Sequence, residues 1–456
     1  MISEPGSLNK AYRRYFLDHP QKVRRDLERL DRYLLEHRCI FRGVAMPTLL
    51  KPNFLSPAQA ELLKGSVETM SRALTRVISL FLEDSRVQEI MGFSAMEHEL
   101  FRIDPGYSNP LVISRLDAFL LGDGIKFLEF NCDSPAGIAY SDILEEGFRA
   151  SLEEYPFMDG FRVEYIHRQK ALLSSLLECY GEFRSRHPHF PERPVIAIVD
   201  WKDVSTYSEF ELHRDHFRSM GIEAVIASPL DFSIRDGRAH AGDREVHLVY
   251  RRVITGEIIA RRNEAEPFLE AIREGLVCCC NSFRSFIVGN KKILSVITDP
   301  RFISVFSPEE QELIRKTVPW TRVLADRKEK YRNREVNLKT FIPENRESLV
   351  LKPSNKYGGK DVYIGLETPQ QKWEEIMNEH IEREMWVVQE YVDIPTGEFP
   401  EFGGRLHFRK KYVNINPFAL NGSYSGTITR ISDRQVINVS AGGGLVPTLT
   451  VSGNGD

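Results

Sequence analysis

The alternation of apolar and polar positions is sharpest where two apolar runs, Phe119 to Leu121 and Phe127 to Phe130, flank Gly122-Asp123-Gly124. A three-residue connection with glycine at the left-handed position predicts a β-hairpin in which Leu121 faces Ile125. Counting outward sets Phe119 opposite Phe127, Asp117 opposite Glu129 and Arg115 opposite Asn131, all on one face, because strand side chains alternate. A register slipped by one residue would instead send the two acids to opposite faces and leave Arg115 to neutralise Asp117. Elsewhere the periodicity is helical over 8–38 and again over 57–83, where Ser56-Pro57 marks a helix start. The runs 194–199, 221–226 and 245–250 read as buried strands with a helix over 209–220 between the first two, a βαβ pattern that predicts a parallel sheet. A charged stretch, 326–334, leads into a strand-rich C-terminal third, and no internal repeat is visible.

Directly opposed carboxylates destabilise a sheet, so Asp117 and Glu129 call for compensation. A hard divalent cation with oxygen ligands from both acids and the Asn131 amide would supply it, and Mg²⁺ held by few carboxylates commonly carries nucleotide phosphates. The hairpin then ends abruptly in Cys132-Asp133-Ser134-Pro135-Ala136-Gly137, a turn of small and polar residues of the kind that lines a site.

A second constellation follows at 349–364. A strand bearing Lys352 runs into Lys356-Tyr357-Gly358-Gly359-Lys360 and a returning strand. Glycine lets backbone N–H groups approach an anion, and lysine supplies a point charge for phosphate. The spacing is not that of a strand-loop-helix phosphate cradle. The apolar strand Trp386-Val387-Val388 then ends in Gln389-Glu390-Tyr391, hydrogen-bonding groups suited to the edge of an adenine.

Composition narrows the classes. The chain has 456 residues, enough for two or three packed domains, with 42% hydrophobic and 28% charged residues. A net charge of −4 gives no basic excess to suggest nucleic acid. The start lacks an apolar signal core and no apolar run approaches membrane-spanning length, so a cytoplasmic protein with no membrane partner is expected. Six cysteines, three of them at Cys278-Cys279-Cys280, lack the spacing of a zinc site or a disulfide framework and fit a reducing compartment. The triplet reads as a small apolar strand. Cys132 lies beside the candidate ligands, but no histidine nearby would activate it as a nucleophile. Arg251 and Arg252, at a strand end, read either as contacts for a substrate carboxylate or as solvated charges. Arg405 and Arg430 are candidate anion contacts.

A lysine-bearing strand, a glycine flap and a Val-Val-Gln-Glu-Tyr hinge, in that order, resemble the nucleotide half of the ATP-grasp fold. The Asp and Glu-x-Asn of ordinary ATP-grasp enzymes follow the hinge, whereas Asp117 and Glu129-Phe130-Asn131 precede it by more than two hundred residues. That order resembles the circularly permuted ATP-grasp proteins related to glutathionylspermidine synthase. Their Arg-x-Asp, Glu-x-Asn with an acidic-Ser/Thr-Pro turn, and Asn-Lys-x-Ile-Leu segment are matched by Arg115-Leu116-Asp117, Glu129 to Pro135, and Asn290-Lys291-Lys292-Ile293-Leu294. The match runs over roughly 100–450.

The resemblance implies an α/β (α+β) chain with a permuted ATP-grasp core, divided into a helical segment 1–95, the metal-binding hairpin part 96–160, an α/β substrate domain 161–290 and a nucleotide-binding region 291–456. It implies that Asp117, Glu129 and Asn131 hold Mg²⁺ with ATP, and that Arg115 faces the transferring phosphate or acyl-phosphate oxygen. Lys291 and Lys352 would contact ATP phosphates, Lys356, Gly358, Gly359 and Lys360 would form the flap, and Gln389, Glu390 and Tyr391 would bracket adenine. The glycine-rich segment 436–447 would return to the nucleotide or substrate cleft. The implied reaction joins a small-molecule carboxylate to an amine through an acyl phosphate, releasing ADP. The bifunctional relatives carry a catalytic-Cys amidase domain in front, whereas this chain begins with helices, so synthetase activity alone is expected. A non-catalytic ATP-binding sensor or scaffold and an ATP-dependent phosphotransferase are the alternatives. Substrate identities and oligomeric state are not legible in the sequence.

Overall fold

The computed structural model describes residues 5–122, 124–332, 334–356, 358–402, 404–439 and 442–453. Asp123 of the hairpin turn, Tyr357 of the flap, and Ser440 and Ala441 of the glycine-rich segment lie outside the described residues. The fold is mixed α/β. The helical period over 8–38 is cut in two, Pro5–Asp18 and Pro20–Glu36, because proline has no N–H to continue the first helix and fits the opening turn of the second. The long helix Pro57–Glu83 starts with a capping box: Ser56 Oγ accepts the Gln59 N–H and Gln59 Oε1 accepts the Ser56 N–H, each at 3.1 Å.

The parallel sheet expected from the βαβ pattern is present in the order Cys278–Cys280, Leu248–Arg251, Ile196–Val199, Ala224–Ala227. The cysteine triplet is its buried edge strand, and all six cysteines are buried and free. A separate antiparallel sheet orders Thr321–Val323, Trp386–Glu390, Leu349–Pro353 and Tyr363–Ile364 around a core of Leu349, Leu351, Trp373 and Val388. The charged stretch 326–334 contributes to a two-stranded ribbon, Lys328–Tyr331 with Arg334–Asn337.

The largest sheet joins segments far apart in the chain. Its order is Asn53–Leu55, Gly444–Gly453, Ser423–Ser432, Leu406–Leu420, Ile113–Leu121, Gly124–Asn131. The hairpin is thus tied to the C-terminal strands, with Ala118 paired to Ile415 and Arg115 to Phe418. Leu116, Ala118 and Phe127 join Leu63, Val67, Leu74 and Phe81 of the long helix in one core. The opposite face of the hairpin is left to line a cleft. Among the described residues no helix is long and apolar enough to cross a membrane.

Candidate functional site

The hairpin pairs Asp117 with Glu129 and Arg115 with Asn131, as the alternation predicts, but by another route. Leu121 pairs with Gly124 rather than Ile125, so the connection has two residues, with Gly122 at φ +59°. Phe119 pairs with Lys126, not Phe127. Between Ala118↔Phe127 and Asp117↔Glu129 the second strand carries one extra residue, Leu128. The shorter turn and this bulge cancel, restoring the register at the acids. Bulges re-aim groups near sites, and here the carbonyl of the extra residue, Leu128, lies 3.4 Å from Lys352 Nζ.

The acids are compensated by protein cations. Asp117, only 3% exposed, accepts Arg115 Nε at 3.0 Å on one oxygen and Arg430 Nη1 at 2.8 Å on the other. Glu129 Oε2 lies 3.2 Å from Lys291 Nζ. Opposed carboxylates therefore do not by themselves require a metal: Arg115 neutralises Asp117 in the correct register as well as in the slipped one. Burial alone would push the Glu129 carboxyl up, but Lys291, Lys352 and Arg430 outweigh it and hold it down at about 2. Burial lowers the Lys352 ammonium to about 8, with Lys291 adding to the shift and the Glu129 and Asp117 charges opposing it. Arg115, Lys291, Lys352 and Arg430 against Asp117 and Glu129 leave this end of the cleft with a positive excess, suited to a polyanion.

Among the described residues no three His, Cys, Asp or Glu side chains converge as a metal cluster. A cation here would rest on two carboxylates and one amide, completed by oxygens of its ligand. The donor set fits a hard divalent ion on that condition: the acids are directly opposed, and Asn131, paired with Arg115 beside them, brings an amide oxygen to the same face.

An open cleft of about 1010 Å³, the solvent at its mouth included, runs from this charged end toward the hinge. Arg115, Asp117, Glu129 and Asn131 line it from the hairpin, Lys352, Gly358 and Gly359 from the lysine strand and flap, and Gln389, Glu390 and Tyr391 from the hinge strand. Phe119, Val350, Ile364, Val392 and Ile394 give the hinge end an apolar wall. Lys291, Lys356 and Lys360 are not among its lining residues. Lys291 is nonetheless buried against it, bridging Glu129 and, at 2.7 Å, the Lys356 carbonyl. Lys356 Nζ turns away to Asp361 at 2.5 Å, and Lys360 is exposed.

At the hinge, the Gln389 side chain points at Lys352, with Oε1 at 2.6 Å from Nζ. So engaged, the amide oxygen is not free for the adenine edge that the sequence leads one to expect of it. The Glu390 carboxylate faces the exposed ribbon, 3.1 Å from both Arg332 Nη2 and Tyr331 OH. Tyr391 OH lies 3.4 Å from Gln435 Oε1.

The C-terminal strands supply one of the site's cations. Arg430 is a direct partner of Asp117, and its strand pairing, Arg430 with Asn414, sets it on the cleft face. The segment after it covers the flap: Asn438 Nδ2 donates to the Gly358 carbonyl at 2.5 Å, and a Cβ on Gly359, at φ +67°, would come within 2.7 Å of Val436. The Thr-x-x-Arg stretch could have signalled Arg430 only if its pairing partner were known. Arg405 is exposed and outside the cleft lining.

Arg251 and Arg252 neither line the cleft nor meet solvent. Arg251 pairs with Asp133 at 2.8 Å, and Arg252 donates to the Pro135 carbonyl at 2.6 Å. Asp133 also accepts the Thr255 N–H at 2.7 Å and its hydroxyl at 2.8 Å. The turn after the hairpin is thereby fastened to the parallel sheet. Burial pushes the Cys132 thiol well above its ordinary range, with Asp133 and Asp117 adding to the shift, so it stays protonated and inert.

No protein-family profile matches the sequence, and no curated protein matches it. By fold the chain is similar to the apo form of a glutathione synthetase-like effector from Globodera pallida, with a TM-score of 0.64 over 94% of this chain and 97% of that one at 12% identity. A structure from Methylobacillus flagellatus KT, provisionally assigned as a gamma-glutamylcysteine synthetase, reaches a TM-score of 0.38 over 85% of each chain at 9% identity, too distant to carry an argument. The first likeness spans nearly the whole length of both chains and establishes a shared fold.

Proposed function

We propose that this chain is an ATP-dependent carboxylate–amine ligase of the ATP-grasp type, forming an amide through an acyl phosphate. The observation that carries the reading is the convergence of Arg115, Lys291, Lys352 and Arg430 on the opposed Asp117 and Glu129, at the charged end of a cleft whose other end is an apolar hinge. Phosphoryl transfer needs positioning and charge stabilisation rather than a protein nucleophile, and this site offers charge without one. The glutathione synthetase-like description of the protein sharing the fold agrees with amide formation.

In this reading the hinge residues 389–392 flank the base, the flap at 356–360 covers the phosphates, and Lys291 and Lys352 hold them. Asp117, Glu129 and Asn131 would hold Mg²⁺, which when bound would neutralise phosphate charge. Arg115 and Arg430 stand where a carboxylate substrate and its transferring phosphate would meet, and would stabilise the oxyanion as the amine attacks. This reading takes the chain order as permuted relative to ordinary ATP-grasp enzymes, and the hairpin preceding the flap and hinge supports it.

The test is ADP release against a panel of carboxylates, each with and without amines. Turnover that needs both partners supports the ligase. ATP binding without turnover under every condition favours a sensor, and ADP release with a hydroxyl acceptor alone favours a phosphotransferase.

A further inference from the structure

We propose that Gln389 is a positioning residue that aims Lys352 at the phosphates of a bound nucleotide without neutralising it; the inference rests on the nucleotide-binding reading above. Lys352 is 8% exposed, so its ammonium needs acceptors. It has Gln389 Oε1 at 2.6 Å and the bulge carbonyl of Leu128 at 3.4 Å, and it lines the cleft with its third N–H remaining for a ligand.

The orientation of the Gln389 amide is fixed from behind. Thr321 Oγ1 donates to the Pro319 carbonyl at 3.0 Å, which leaves that oxygen only lone pairs to offer. It therefore accepts from Gln389 Nε2, also at 3.0 Å, and Oε1 must face the lysine. A flipped amide would set its NH₂ against the ammonium and its oxygen against a hydroxyl lone pair. Both Gln389 and Thr321 are buried, at 2% and 0% exposure, and sit opposite each other on paired strands. The chain Pro319, Thr321, Gln389, Lys352 thus runs through the sheet interior to the cleft.

The residue type matters as much as the geometry. A glutamate in this position would orient Lys352 equally well but would pair with its charge, weakening its pull on phosphate. An apolar side chain would leave a buried ammonium short of an acceptor. A neutral amide orients the lysine and leaves its full charge for the ligand.

The test measures binding of ADP and of inorganic tripolyphosphate to the full chain by calorimetry. Gln389→Glu should weaken both about tenfold, equivalent to about 1.4 kcal/mol, with an unchanged thermal midpoint. The same change made in a Lys352→Met background should have no further effect on tripolyphosphate, which carries no base, because it acts on phosphate through the lysine. Thr321→Val, which removes the contact that holds the amide from behind, should weaken tripolyphosphate about threefold, and Thr321→Ser should restore it. Wild-type affinity in Gln389→Glu, or a loss that persists without Lys352, would overturn the inference. If Gln389→Glu does not fold, the Thr321 pair decides alone. Failure of the wild-type chain to bind either probe would instead bring down the proposed function, and this inference with it.

Discussion

Lys291 ties the flap to the hairpin: its ammonium lies 3.2 Å from Glu129 Oε2 and 2.7 Å from the Lys356 carbonyl. One side chain thus joins an acid that would bind metal to the backbone that would close over phosphate. Replacing it as Lys291→Met should free the flap and remove a phosphate contact together. Charge-assisted hydrogen bonds contribute about 1.5–3 kcal/mol each, so ADP affinity should fall at least about tenfold. Limited proteolysis should then cut within 356–360 sooner than in the wild-type chain; unchanged affinity and cleavage would contradict the assignment.

Glu129→Gln should abolish Mg²⁺-dependent ADP formation. It should also destabilise the chain, because Lys291, Lys352 and Arg430 lose the anion they surround. The pH dependence follows in sign. The folded carboxyl is held at about 2, below its ordinary 4.5, so its contribution is present above about pH 4.5 and is lost as pH falls through about 2. Urea midpoints of wild type and Glu129→Gln should accordingly converge between pH 4.5 and 2. A constant gap would refute this origin.

For Lys352 the folded ammonium titrates near 8, below its ordinary 10.5. As pH rises from about 8 to 10.5 the unfolded chain binds the extra proton, so this group's contribution to stability increases across that window. Nucleotide affinity moves the other way, since the charge is lost in the free protein. Calorimetry near pH 8 in buffers of different ionisation enthalpy should show proton uptake on binding ADP, absent in Lys352→Met.

Asp133 fastens the turn that follows the candidate ligands, through Arg251 and Thr255. Removing one partner of a buried ion pair leaves the other uncompensated, at a cost of about 3–5 kcal/mol. Asp133→Ala should lower the urea midpoint accordingly, whereas Cys132→Ala, next to it, should keep ADP formation because the thiol is protonated and plays no covalent part.

What was legible in the sequence was local or periodic. The capped helix at 57–83, the parallel strands and the cysteine strand follow from side-chain period and capping chemistry, which act over a few residues. The opposition of Asp117 and Glu129 was legible too, but only because the tighter turn and the Leu128 bulge cancel. Neither device leaves a mark in the apolar pattern. The partners of the acids were not legible, since Arg430 and Lys291 reach them through sheet pairings and loop closures more than a hundred and fifty residues long. The Arg251–Asp133 lock escaped for the same reason: a buried arginine and a solvated one look alike in sequence.

The most direct test of amide formation through an acyl phosphate uses a carboxylate substrate labelled with ¹⁸O in its carboxyl group, in any carboxylate and amine pair that supports ADP release. Attack of the carboxylate on the γ-phosphorus, followed by displacement by the amine, carries one carboxylate oxygen into the released phosphate. Mass spectrometry of that phosphate should find one ¹⁸O atom per turnover. Phosphate free of label, alongside stoichiometric ADP, would contradict the ligase mechanism.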